Sequence, residues 1–149
     1  MRAVVQRISE ARVTVGDEVV GQIAAGLLVY AAAAPDDGDA DVAYIAEKVA
    51  HLRVFPDEMG KMNRSVADVG GQVLLVSAFT VQADARKGRR PSFDNSASGE
   101  IAEPLISKLV VAIRAYGLKV ETGRFAAHMH VSSVNDGPIC ILLDSRRVI

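Results

Sequence analysis

The chain has 149 residues, of which 50% are hydrophobic and 23% charged, and its formal net charge is −1. This length and composition fit one folded domain (1–149) and exclude a disordered chain. The near-neutral charge disfavours broad, sequence-blind binding to duplex nucleic acid, so a nucleic-acid ligand would have to be held by a local basic patch. The single cysteine, Cys140, excludes an internal disulfide and is typical of a reducing compartment. Because the sequence has no signal-peptide pattern and no apolar run of membrane length, we expect a cytoplasmic protein without a membrane partner.

The N-terminal part of the chain predicts strands. Runs rich in β-branched residues at 3–8 and 11–15 are followed by a turn at Gly16-Asp17 and a returning strand at 18–23, which together indicate a hairpin. The uninterrupted apolar run at 27–33 is typical of a buried central strand.

The spacing of apolar residues next predicts two helices. In 40–52 and in 101–116 the apolar residues recur every three or four positions, and Gly117 is a typical stop for the second helix. Between the helices we predict a short strand at 53–55 and a second buried strand at 72–81, which ends in small and hydroxylated residues. Polar groups at the end of such a strand are well placed to form a site.

The last two predicted strands, 128–134 and 139–143, flank Gly137-Pro138. Proline cannot donate a ladder hydrogen bond, so it belongs at a strand start, an edge or a bulge, and we expect it to start the final strand. The dipeptide is either an ordinary turn or a rigid corner that presents its backbone carbonyls. The whole pattern predicts a single α+β domain, with a strand-dominated, mainly antiparallel and partly barrel-like sheet and two helices packed against it.

Individual residues do not identify a chemistry. The apolar neighbours of Cys140 favour a small core residue over an activated nucleophile, and His128 with His130 lacks a third metal ligand in the nearby sequence. No Gly-x-Ser-x-Gly elbow surrounds Ser77, so a serine-hydrolase triad is not predicted. The cations of 86–90 are either a solvated surface or a contact to phosphates.

Several segments together resemble one family, the D-aminoacyl-tRNA deacylases. The resemblance covers essentially the whole chain. In order, the segments are VQRI at 5–8, GKMN at 60–63, VSAFTV at 76–81, RPSF at 90–93, TGRF at 122–125 and VNDGP at 134–138.

The resemblance implies a homodimer that hydrolyses the ester of D-aminoacyl-tRNA, and also of glycyl-tRNA mischarged on tRNA-Ala. Each site would combine the Ser77-to-Thr80 strand of one subunit with the Gly137-Pro138 corner of the other. The Gly137-Pro138 bond would be cis, its carbonyls would reject L-aminoacyl groups sterically, and Arg7 would buttress the corner. The filter would therefore select chirality and not side-chain identity.

The resemblance also implies the roles of the remaining site residues. Ser77, Phe79 and Thr80 would be catalytic, through the serine hydroxyl and the backbone amides that face the scissile carbonyl. Phe125 and Met129 would form the pocket for the terminal adenosine at the tRNA 3′ end. The family uses the 2′-hydroxyl of that adenosine, so neither a cofactor nor a metal is implied.

The chain departs from the family pattern at two positions beside the site. Ala78, which the resemblance places among the substrate-binding residues, stands where the family usually has Gln. Cys140 stands where the family usually has Thr, which replaces a hydroxyl by a weaker hydrogen-bonding thiol. Two alternatives stay open. One is a deacylase of relaxed chirality that accepts small L-residues, with a trans bond at Gly137-Pro138; the other is a non-catalytic module that binds a tRNA end or DNA.

Overall fold

One long strand organises the sheet of the computed structural model, which describes residues 1–149. The elements in chain order are β1 (Arg2–Val15), β2 (Glu18–Ile23), β3 (Gly26–Ala32), α1 (Asp39–His51), β4 (Phe55–Pro56), β5 (Met62–Arg64), β6 (Gln72–Ser77), a 3-10 turn (Phe79–Gln82), α2 (Gly99–Arg114), β7 (Val120–Thr122) and β8 (His130–Asp144). The runs predicted as two strands at 3–8 and 11–15 form the single strand β1. Both predicted helices are present within two residues of their predicted limits. Neither helix combines the length and apolar character that crossing a membrane requires.

The main sheet has six strands in the order β2-β1-β3-β6-β7, with β8 also paired to β1. Strand β1 pairs antiparallel with β2, β3 and β8, whereas the β3–β6 and β6–β7 pairs are parallel. The predicted α+β class with a mainly antiparallel sheet is therefore confirmed. The two parallel pairs arise because α1 lies between β3 and β6 in the chain and α2 lies between β6 and β7. Each helix forms a crossover connection that returns the chain to the sheet in the same direction.

The central strands read as continuous apolar runs because both of their faces are buried. On one face Val29 and Leu75 pack with the helix residues Ile45 and Leu109 in a core of 26 buried residues. On the other face Leu28 and the neighbouring strands form a smaller core of 7 buried residues, enclosed by the curled sheet. The helices therefore cover one face only, as expected for an α+β domain.

The sheet curls until its two end strands, β2 and β7, lie close together at Gly21. A Cβ atom built on Gly21 would lie 2.2 Å from the backbone oxygen of Thr122. Only glycine allows this approach, so Gly21 is required for the partly barrel-like shape of the sheet.

We expect Gly21→Ala to lower the free energy of unfolding by about 1–3 kcal/mol, because the added methyl group must push β2 away from β7. Urea denaturation followed by circular dichroism measures this change. The wild type, measured in parallel, is the reference. Equal midpoints for Gly21→Ala and the wild type would show that the close approach does not constrain the sheet.

Candidate active site

The predicted strand 72–81 ends earlier than expected, and its hydroxylated end forms a turn. Strand β6 stops at Ser77, and Phe79–Gln82 is a 3-10 turn. Two hydrogen bonds fix the turn on β3: the backbone N–H of Ala78 donates to Ala31 O at 3.0 Å, and the buried Gln82 side chain donates from Nε2 to Ala32 O at 3.2 Å. The prediction of a continuous strand was wrong because these long-range bonds outweigh the local β-propensity of the segment.

A cavity of about 490 Å³ opens beside this turn. Its walls come from the ends of β3 and β6, from α2 and from the segment before β8, and most are apolar. The lining residues include Ala31, Ala32, Ala33, Ala97, Gly99, Ala102, Ile106, Ala126 and Ala127, together with Ser77, Ala78, Phe79, Thr80, Phe125 and Met129. The last six are all residues that the sequence predicted for the site. The volume is within the range of small-molecule pockets.

The polar groups of the cavity include hydrogen-bond donors. Ser77 is half-buried at the end of β6, and its hydroxyl can both donate and accept. The N–H groups of Phe79 and Thr80 have no partner within the 3-10 turn, whose first bond runs from Val81 N to Ala78 O at 3.0 Å. Such donors can stabilise negative charge on a carbonyl oxygen.

None of the side chains that line the cavity is a carboxylate, a histidine, a lysine or a cysteine. A general base supplied by a side chain is therefore missing from the cavity wall. The site can bind, orient and polarise a group.

The thioether of Met129 lies directly over Gly123. A Cβ atom on Gly123 would be 2.6 Å from Met129 Sδ. Gly123, the glycine of the TGRF segment, thus makes room for the Met129 side chain, which lines the cavity. Met129 also packs against the smaller core.

The remaining three predicted site residues, Arg7, Gly137 and Pro138, lie outside this cavity. The expectation that Pro138 starts a strand was wrong: β8 runs continuously from His130 to Asp144. The register between β1 and β8 shifts at this point: Gln6 pairs with Cys140, but Ile8 pairs with Asn135. The four residues 136–139 of β8 therefore lie opposite a single residue of β1, Arg7. Pro138 thus sits in a bulge, where the donor that it lacks is not needed.

The Gly137–Pro138 peptide bond is cis. Gly137 has φ +151°, and a Cβ atom there would lie 2.5 Å from the backbone nitrogen of Ile139. This position therefore requires glycine. Both residues of the dipeptide are exposed on the surface of the chain.

Hydrogen bonds fix the corner from two sides. The Arg7 side chain is 12% exposed; it donates from Nε to Asp136 O at 3.0 Å and from Nη1 to Val54 O at 2.6 Å. The Asp136 carboxylate is 3.3 Å from the same Nε. From the other side, Asn135 donates from Nδ2 to Arg7 O at 3.0 Å and to Ile139 O at 2.9 Å. The backbone before and after Gly137 is therefore held by side chains.

Asn135, Gln82 and the small wall residues other than Ala78 were not predicted as site residues. The VNDGP segment contains Asn135, and its amide is a common partner for irregular backbone, so a signal was present. Gln82 and Ala102 carried no such signal in the sequence.

Cys140 and the pair His128 and His130 lie outside the cavity. Cys140 is exposed and not buried as predicted, because Ile139 and Ile141 take the inward positions of β8 on either side of it. The His128 and His130 rings pack edge to face, 5.2 Å between centroids. No group of three or more His, Cys, Asp or Glu side chains is arranged to hold a metal ion.

The fold and the cavity define a small α+β protein with a substrate-sized site at the end of β6, whose donors are suited to hold a carbonyl group. The family described as D-Tyr-tRNA(Tyr) deacylase matches residues 4–144, and the chain belongs to this family. The resemblance seen in the sequence is confirmed.

Individual relatives match along nearly their full length. The chain is 58% identical to the D-aminoacyl-tRNA deacylase of Symbiobacterium thermophilum over 99% of this chain and 97% of that protein. It is 56% identical to the D-aminoacyl-tRNA deacylase of Thermus aquaticus, over 97% of this chain and 95% of that protein.

Two solved structures share the fold. One is titled "c-Myc DNA Unwinding Element Binding Protein", with a TM-score of 0.91, 36% identity and coverage of 97% of this chain and 98% of that one. The other is titled "Structural Analysis of a probable eukaryotic D-amino acid tRNA deacylase", with a TM-score of 0.84 and coverage of 95% and 97%. At 15% identity the second likeness concerns the fold alone.

Proposed function

We propose that this protein hydrolyses the ester bond between a D-amino acid and the terminal adenosine of tRNA, releasing the free D-amino acid and tRNA. The observation that carries this proposal is the cavity at the end of β6, which is lined by six of the nine residues that the family resemblance had marked for the site. The names of the relatives at 58% and 56% identity support the same activity.

In this proposal the cavity positions the ester and polarises it. The amides of Phe79 and Thr80 face the ester carbonyl, and each donor aimed at the developing oxyanion contributes a few kcal/mol, about 2.7–4 where a single donor has been removed from another enzyme. Ser77 holds the substrate, and Phe125 with Met129 contacts the adenosine. As the family resemblance implies, the 2′-hydroxyl of the adenosine assists the attack of water on the carbonyl, and the absence of titratable side chains from the cavity wall supports this role.

We further propose that a second copy of the chain completes the site. Gly137 and Pro138 are exposed and lie outside the cavity of their own chain, so they can enter the cavity of a partner. Apolar side chains on β8 flank the corner and are exposed in the single chain, Val134 by 50% and Leu142 by 60%. Burial of these side chains in a homodimer would favour association.

The corner then acts as a filter for chirality. The backbone on either side of it is held by the hydrogen bonds of Arg7 to Asp136 O and of Asn135 to Ile139 O. An L side chain therefore meets backbone carbonyls in a fixed position, while a D side chain points to solvent. Glycine has no side chain to reject, which is why glycyl-tRNA mischarged on tRNA-Ala is included among the proposed substrates.

The direct test compares the release of D-tyrosine and L-tyrosine from matched charged tRNAs, with a reaction without enzyme as the control. We expect rapid loss of the D-ester and loss of the L-ester at the uncatalysed rate. Equal hydrolysis of both esters would retain the hydrolase and reject the filter, although the cis bond at Gly137-Pro138 differs from the trans bond of the alternative with relaxed chirality. Hydrolysis of neither would reject the proposed activity.

A second candidate is a module that binds nucleic acid without turnover. It is favoured by one observation, the solved structure at 36% identity, whose name describes a DNA-binding protein. Binding of tRNA or DNA by a protein that leaves both tyrosyl esters intact would support this candidate.

A further inference from the structure

A strongly basic loop follows the 3-10 turn of the cavity. We call residues 84–92 the basic loop. Asp84 and Ser92 close it, with backbone hydrogen bonds of 2.8 Å in both directions, and Gly88 turns the chain at its tip with φ +68°. The loop is exposed between Ala85 and Pro91.

The basic loop is attached to the rim of the cavity. Phe93, the residue after the loop, packs edge to face on Phe79 with ring centroids 5.1 Å apart. Ser96 donates from Oγ to Phe79 O at 2.9 Å. Since Phe79 lines the cavity, the position of the loop is coupled to the position of the site.

One of the four cations in the loop is neutralised. Arg86 donates from Nε to Asp84 Oδ1 at 2.9 Å and from Nη2 to Asp84 Oδ2 at 2.6 Å. This bidentate pair, with the Arg86 N–H on the same carboxylate, holds the pKa of Asp84 well below its ordinary value. Arg86 therefore serves the shape of the loop.

The other three cations, Lys87, Arg89 and Arg90, are exposed and have no carboxylate within ion-pair distance. Most of the remaining Lys and Arg side chains of the protein are paired with a carboxylate, and those without one are scattered singly along the sequence. A concentration of free cations in a chain of net charge −1 is a local feature that global charge does not explain.

We propose that Lys87, Arg89 and Arg90 bind phosphodiester groups of the tRNA acceptor arm, beyond the nucleotide whose ester occupies the cavity. This inference rests on the proposed function, because the tRNA end must lie at the cavity for the arm to pass the loop. Guanidinium and ammonium groups are the usual phosphate ligands of proteins. The contact is to the backbone, so it adds affinity without reading the tRNA sequence.

The test uses a triple variant, Lys87→Ala with Arg89→Ala and Arg90→Ala, and measures binding of uncharged tRNA at several salt concentrations. Because the variant can no longer bind three phosphates, the slope of log affinity against log salt should be smaller by roughly 2–3. A matched control replaces three lysines elsewhere, Lys48, Lys108 and Lys119, by alanine. It removes the same charge and should leave the slope close to that of the wild type.

A second substrate distinguishes an effect on the basic loop from an effect on the cavity. We expect the loop variant to hydrolyse D-tyrosyl-adenosine, which lacks the acceptor arm, at the wild-type rate, while kcat/KM on D-tyrosyl-tRNA falls about tenfold or more. An unchanged salt slope and unchanged kcat/KM on tRNA would overturn the loop inference and leave the deacylase intact. If the wild type hydrolyses neither substrate, the deacylase is rejected. A salt slope that is smaller for the loop variant than for the wild type would still support the phosphate contacts.

Discussion

An Ala102→Phe variant is expected to fold normally and to lose about 100-fold or more of kcat/KM on D-tyrosyl-tRNA. Ala102 lies on α2, is half-buried and lines the cavity of about 490 Å³. Ala102 also packs at the edge of the main core, but the cavity beside it can accept a phenyl group, which then occupies the volume that the substrate needs. Displacement of a reacting group by about 1 Å is enough for losses of this size.

The control for this variant is Val111→Phe on the same helix. Val111 is 65% exposed, so the same aromatic group added there faces solvent and should leave both hydrolysis and the thermal midpoint unchanged. Full activity of Ala102→Phe with an unchanged midpoint would show that the ester does not occupy this cavity. A large drop in its midpoint would show that the cavity is closed by packing in solution.

The elements that the sequence predicted well are those whose periodicity reflects burial. The helices α1 and α2 each present one apolar face to the sheet, and β3 with the first half of the predicted strand 72–81 is buried on both faces. A pattern of this kind is fixed by local residue order, so it can be recognised without tertiary contacts.

The site was less predictable because its backbone is set by distant partners. The segment FTVQ is apolar and β-branched enough to continue β6, yet it turns because Gln82 and Ala78 bond to β3. The bulge at Pro138 likewise depends on the register between β8 and β1. Register is a property of two strands, and one strand's sequence does not contain it.

Family resemblance placed residues at the site that their own chemistry did not mark. Phe125 and Met129 are ordinary apolar residues in the sequence, and the structure brings them to the cavity with Ser77. The same resemblance placed the corner at the site, although in one chain it lies outside the cavity. That separation is what makes the contribution of a second copy a testable part of the proposal.

An Arg7→Ala variant is expected to lower the ratio of D- to L-tyrosyl-tRNA hydrolysis by about 100-fold. Arg7 supplies a donor to Asp136 O and another to Val54 O, and Val54 is 6% exposed. Its removal leaves an unpaired buried carbonyl, which costs about 1–3 kcal/mol of stability, and frees the backbone before Gly137. A corner that yields by about 1 Å no longer excludes an L side chain.

The ratio is the decisive quantity, because partial unfolding lowers both rates equally and leaves their ratio unchanged. Arg7→Lys provides a graded comparison: one ammonium keeps the charge near Asp136 but lacks the fork that reaches Val54 O and Asp136 O together, so its ratio should fall between those of the wild type and Arg7→Ala. If Arg7→Ala loses stability while its D-to-L ratio stays at the wild-type value, the arginine supports only the fold. The rigidity of the corner must then come from Asn135, whose amide donates hydrogen bonds to Arg7 O and Ile139 O on the opposite side.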